Sequence, residues 1–216
     1  MHIEPGVLNA AKIVFANAAA ISTLAVFAPK LLGRPQNWVK TVLAALFFSI
    51  FMEVYSVPVG PSELHFIGAS AVYLLFGFVP ALFGFAIGLL LQGFLFEPSD
   101  LMHLAVNSLS LLVPLIAAHG LFGRHFHREG GRRISWAEVV KFDAVFYGGV
   151  VMMVGFWLSL GQEPAALSNW AMFAAAYMPI ILLEPVFTCL IIRALKRYEN
   201  NGLVQRFTTV KSLTAA

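Results

Sequence analysis

Charge is what this sequence has least of. Only 12% of its 216 residues are charged and 59% are hydrophobic, where a soluble globular domain carries roughly 25% charged residues. The scarcity excludes a soluble globular protein, and no nucleic-acid partner is expected. Cysteine is nearly absent too: Cys189 stands alone in an apolar stretch, so neither a disulfide framework nor a cysteine metal cluster is available. That thiol is expected to face lipid or pack in the core. There is no Walker-type glycine loop for nucleotide, no inverted repeat and no serine or aspartate dyad of an intramembrane enzyme. No enzymatic activity is expected, and the energy for any active transport must come from elsewhere. A basic segment and a cleavage site are also missing from the amino end, so no secretory signal is expected. Met1 is expected to stay as the true terminus with a free amine, because His2 is too large for ordinary removal of the initiator.

What is present is a series of apolar stretches of about 20 residues, enough to cross a hydrocarbon core. Hydropathy and its Pro, Gly and charged interruptions predict seven spans, roughly 7–28, 39–57, 64–79, 80–96, 101–122, 139–160 and 168–192. The fold class is therefore an all-α integral membrane protein of about seven transmembrane helices. It is read as one domain over 1–216, with an amino-terminal capping segment at 1–8 and a cytoplasmic tail from about 193 to 216.

Orientation follows from Lys and Arg. The first loop and its flank carry Lys30, Arg34 and Lys40; the fifth carries Arg124, Arg128, Arg132 and Arg133, with Lys141 beyond; the tail carries Arg193, Lys196, Arg197, Arg206 and Lys211. The second, fourth and sixth loops have none, and hold Glu63, Glu97, Asp100 and Glu163 instead. By the positive-inside rule the amino end is outside and the carboxyl end cytoplasmic, Lys12 being the one basic residue that departs. Glycine pairs Gly84/Gly88 and alanine pairs Ala16/Ala20 suit close helix contact.

Metal-binding nitrogens concentrate at the first residues, Met1-His2-Ile3. A free amine, the next peptide nitrogen and an imidazole at position two chelate one ion through fused rings. A further imidazole completes a four-nitrogen set suited to Ni(II) or Cu(II), with Co(II) possible. His65, in Pro61-Ser62-Glu63-Leu64-His65-Phe66-Ile67-Gly68, belongs to an outer loop on the same side. Its other reading is a helix-start histidine bonded to backbone.

These residues resemble a family. Met1-His2-Ile3 with Gly6, the stretch from Ser62 to Gly68 around His65, and Leu91-Gln92 leading through Leu101 to Asn107 look like the CbiM/NikM family. Its members are metal-recognising membrane subunits of energy-coupling-factor transporters for cobalt and nickel. The resemblance implies a seven-span fold and a metal site formed by Met1, His2 and His65. It implies a transported divalent metal, cobalt or nickel, with no cofactor. It also implies a transmembrane coupling subunit and a pair of cytoplasmic ATPases as partners, in a bacterial or archaeal plasma membrane.

There are departures from the family pattern. Glu4-Pro5-Gly6 keeps the turn glycine with a different lead-in, Ser110 replaces a usual asparagine, and His103 stands where a small residue is common. His103 has three readings: an extra ligand, a base on the path of the incoming metal, or a structural helix-start residue. Asn107 is read as orienting a ligating imidazole or as an interhelical bond, and Ser62 as a supporting residue of the site. Lys12 and Glu53 are expected to pair, Asp143 to lie at the membrane interface, and Glu184 to mark a coupling surface or a kink. His119, His125 and His127 fall at the cytoplasmic end of span five and in the basic loop after it, and His125-Phe126-His127 is read as a solvated or headgroup-facing loop in preference to a metal exit site. A stand-alone secondary permease and a non-transporting scaffold are the competing functions.

Overall fold

The breaks between helices are where the local sequence acts most visibly. The computed structural model describes residues 2–3, 6–59, 62–123, 126, 134–161 and 167–213, with His2 described in its backbone alone. Strand β1 is His2–Ile3. Helix α1, Ala10–Leu32, begins where the Asn9 side chain accepts the Lys12 N–H at 3.1 Å, covering a donor that the first turn leaves unpaired. It ends at Gly33, and Pro35 then opens α2, Pro35–Val54, at a position where its missing N–H costs nothing. Strands β2, Ser56–Val59, and β3, Ser62–His65, precede the short α3, Ala69–Phe76, and α4, Phe78–Leu95. A 3₁₀ turn at Pro98–His103 leads into α5, Leu104–Ala118, which closes in a π-helical turn at His119–Gly123. Helix α6, Trp136–Ser159, is capped by Ser135; α7 is Leu167–Lys196 and α8 is Gly202–Phe207.

Among the described residues six helical segments are long and apolar enough to cross a membrane, and the chain is a multi-pass membrane protein. The stretch expected as a third span, 64–79, is built differently. Its start is β3, and α3 has eight residues, all buried, giving a helix about 12 Å long. Only Leu64 and His65 of the strand fall in this stretch, and the apolar residues from Phe66 through α3 and past Gly77 run on without a charge, so hydropathy merges them into one span. Gly68 and Gly77 bound α3 with φ of +66° and +90°, a region that glycine enters freely. At Gly68 a β-carbon would also lie 2.4 Å from the Phe51 ring.

The most extensive helix contact joins α2 to α4. A β-carbon on Gly84 would sit 2.5 Å from that of Ala44, and one on Gly88 would sit 2.4 Å from Phe48 Cδ1. The small-residue pair therefore faces a partner within the same chain. Ala16 and Ala20 are the bundle-facing side of α1, whose Val14, Ile21 and Val26 are exposed, as lipid-facing residues are. Two sequence expectations are corrected. Lys12 Nζ donates to the Leu160 carbonyl, while Glu53 accepts from the Gln92 amide, so each ionisable group finds a different partner. Asp143 is fully buried and bonded to Ser70, because α6 presents it to α3 and α7 and away from the membrane surface.

Candidate metal centre

The amino-terminal strand is held from two sides. On one side β1 runs antiparallel to β3, with His2 opposite Glu63 and Ile3 opposite Ser62, in a three-stranded sheet of order β1-β3-β2. On the other side Ile3 donates its N–H to Asn107 Oδ1 at 3.0 Å, and its carbonyl accepts from His103 Nδ1 at 2.9 Å. His103 ends the 3₁₀ turn and Asn107 lies one helical turn later on α5, so both side chains leave one face. Together they satisfy both main-chain polar groups of a fully buried residue, Ile3; an unmet group there would cost about 1–3 kcal/mol.

His65 is 4% exposed, and its Nδ1 lies 3.3 Å from the Met52 carbonyl oxygen. A proton on Nδ1 donates there and turns the lone pair onto Nε2, the arrangement that orients ligating imidazoles. Nε2 is 3.1 Å from Glu63 Oε2. Two ligands bound at about 2.1 Å in adjacent positions of one ion lie about 3.0 Å apart, and a hydrogen bond from a protonated ring spans the same distance, so the separation fits either contact. The sequence reading did not single out Glu63, which stands beside His65. Its signal was the interval of two from His65 in a strand, which puts both side chains on one face.

The predicted site residues are therefore distributed as follows. His2 and His65 lie on adjacent strands, with α-carbons about 8 Å apart from ordinary sheet spacing, and Ser62 is buried opposite Ile3. Met1 and the His2 side chain lie outside the described residues, as do His125 and His127. Among the described residues, no group of three or more His, Cys, Asp or Glu side chains gathers at one point. Asn107 holds the backbone next to His2. His103 spends Nδ1 on Ile3, and its Nε2 has no hydrogen-bond partner among the described residues. Ser110, where an asparagine is usual, accepts from Trp157 Nε1 at 3.1 Å and ties α5 to α6.

Comparison with known proteins agrees with this architecture. The family model described as the cobalt uptake substrate-specific transmembrane region, CbiM, matches residues 2–201. A crystal structure of a transition metal transporter is similar with a TM-score of 0.74 and 19% identity, over 96% of this chain and 97% of that one. A truncated transition metal transporter gives 0.73 and 18%, over 92% and 99%. At such identities the likeness is one of fold. No protein with a curated description matches. With nearly its whole length matched and its amino-terminal strand laid against the His65 strand, the chain belongs to the CbiM family, the cobalt uptake substrate-specific transmembrane region.

Proposed function

We propose that this chain is the metal-binding membrane subunit of an ATP-driven importer for cobalt or nickel, and that the Met1 amine, His2 and His65 hold the ion. The carrying observation is the pairing of β1 with β3, which brings the first residues beside His65. A transmembrane coupling subunit and cytoplasmic ATPases would supply the energy, consistent with the absence of a nucleotide loop in this chain. The reading includes seven crossings with the amino end outside and the whole chain as one unit. In this reading the segment from β3 through α3 is the added crossing, and the contacts at its two ends support it. Its start pairs with β1, while near its end Leu75 accepts the Thr209 N–H at 2.7 Å and Tyr73 meets His119 at 2.7 Å. That added crossing makes an odd number, and the basic tail lies at its second end.

The test is titration of purified protein with an unmodified amino end, using Co(II), Ni(II) and Zn(II), by calorimetry and visible absorption. One tight site with a planar Ni(II) spectrum is expected. A tetrahedral Co(II) spectrum or a Zn(II) preference would count against the nitrogen set. The amine and imidazoles bind in their deprotonated forms, so affinity is expected to fall on acidification, by about tenfold per pH unit for each proton that competes. Affinity independent of pH would remove the nitrogen ligands from consideration.

The clamp on Ile3 carries its own expectation. Asn107→Ala leaves the buried Ile3 N–H without its partner and should weaken metal binding by about 10–100-fold, as loss of an orienting partner does. Unchanged calorimetric affinity would mean that β3 and His103 hold the strand in place without Asn107.

A further inference from the structure

Two carboxyl groups meet inside the bundle, at the start of α3. Asp143 of α6 and Glu184 of α7 are both fully buried, and Ser70, in the first turn of α3, lies between them. Three oxygens surround Ser70 Oγ: Asp143 Oδ2 at 3.0 Å, Glu184 Oε1 at 3.1 Å and Thr188 Oγ1 at 2.9 Å. Glu184 is well supplied with donors. It accepts the Ser70 N–H at 3.0 Å and the Tyr147 hydroxyl, and it sits at the positive end of α3, which has no capping side chain of its own. Asp143 has no such set. Its second oxygen, Oδ1, is enclosed and has no hydrogen-bond partner among the described residues.

Hydrogen counting shows what is missing. The three contacts on Ser70 Oγ each need a hydrogen, and the Ser70 and Thr188 hydroxyls bring two. A hydroxyl donates once and accepts twice. If Thr188 donates to Ser70 and Ser70 donates to Glu184, the third contact is satisfied only by a hydrogen on Asp143. Among the described residues no positive side chain is bonded to either carboxyl group. The titratable groups facing the pair are Tyr147 on α6 and Tyr177 and Cys189 on α7, with Arg193 acting on the Cys189 thiol one turn further on. On α3 the nearest is Tyr73, whose hydroxyl is engaged by His119. Two bare carboxylates within membrane-spanning helices would be costly without a counter-charge.

We propose that Asp143, Ser70 and Glu184 form a proton-binding site, in which Asp143 carries the proton, donates it to Ser70, and Ser70 donates to an ionised Glu184. The ligand is a proton because the oxygen separations are hydrogen-bond distances. An alkali cation seated among these oxygens would hold them apart. The role of Glu184 as a cap for α3 is structural and needs no proton; the buried second carboxyl does.

Infrared spectroscopy of the full chain in detergent tests the site. At neutral pH the protein is expected to show the carbonyl stretch of one protonated carboxylic acid that shifts in D2O. Isotopically labelled aspartate should move that band. The sequence contains only two aspartates, Asp100 and Asp143, so the label also tests the site without any substitution. Asp143→Asn, whose amide keeps a donor toward Ser70, should preserve the melting temperature and remove the band by the area of one carboxyl. Absence of the band in the unaltered protein overturns the proposal, as does a band that ignores the aspartate label or survives at full area in Asp143→Asn. A band abolished by sodium or potassium would assign the site to an alkali cation and overturn it equally.

Discussion

Metal binding is expected to be lost when His65 is replaced by alanine, and lost again when a single residue is added ahead of Met1. The first change removes an imidazole whose Nδ1 is already positioned by the Met52 carbonyl. Losing a ligand should cost at least the roughly 100-fold seen for loss of an orienting partner. The second change leaves every side chain in place and moves the free amine by one residue, about 3.8 Å along the chain. Because β1 is pinned by Ile3 between Ser62, His103 and Asn107, it cannot slide to compensate. Calorimetry with Ni(II) and Co(II) reads the loss, and unchanged far-ultraviolet circular dichroism shows that the helices survive. Retained affinity in both variants would refute the Met1, His2 and His65 site.

Gly84→Leu is expected to be severely destabilising, for a reason of space alone. The β-carbon would meet Ala44 Cβ at 2.5 Å and the backbone of Ala44 and Ala45 at 3.2 Å, and backbone has no rotamer with which to move aside. Helices α2 and α4 would have to separate, with a cost of at least about 3 kcal/mol from overpacking, or roughly 10 °C in a thermal melt of a chain this long. Gly148→Ala is the control: on α6, in a backbone conformation open to any residue, its β-carbon would meet nothing within 4 Å. Equal melting temperatures for the two variants would show that α2 and α4 are not held by this contact. Helices in lipid lack a hydrophobic drive toward each other, so close approach of small residues contributes much of what holds them.

Several features were legible because the physics behind them is local or one-dimensional. The low charge content and the apolar runs identify a membrane protein from solvation alone. Met1-His2 and His65 stood out because so few nitrogens of that kind occur in the chain. The nearness of Glu63 to His65 was not legible because an interval of two has meaning only in a strand, and the hydropathy of 64–79 spoke for a helix. The bonds that Asn107 and His103 make to the Ile3 backbone were not legible, because they join residues about 100 positions apart.

By itself the sequence determined the solvent, the approximate spans and the chemical identity of the candidate ligands, since these depend on composition and on contacts within a few residues. Tertiary structure decided the partners of the buried polar groups. Lys12 went to the Leu160 carbonyl, Glu53 to Gln92, and Asp143 to Ser70 beside Glu184. In lipid an unpaired polar group is costly wherever it lies, so the sequence announces that each will be paired. Which partner it takes depends on how helices 40 to 150 residues apart are rotated against one another, and packing in three dimensions sets that rotation.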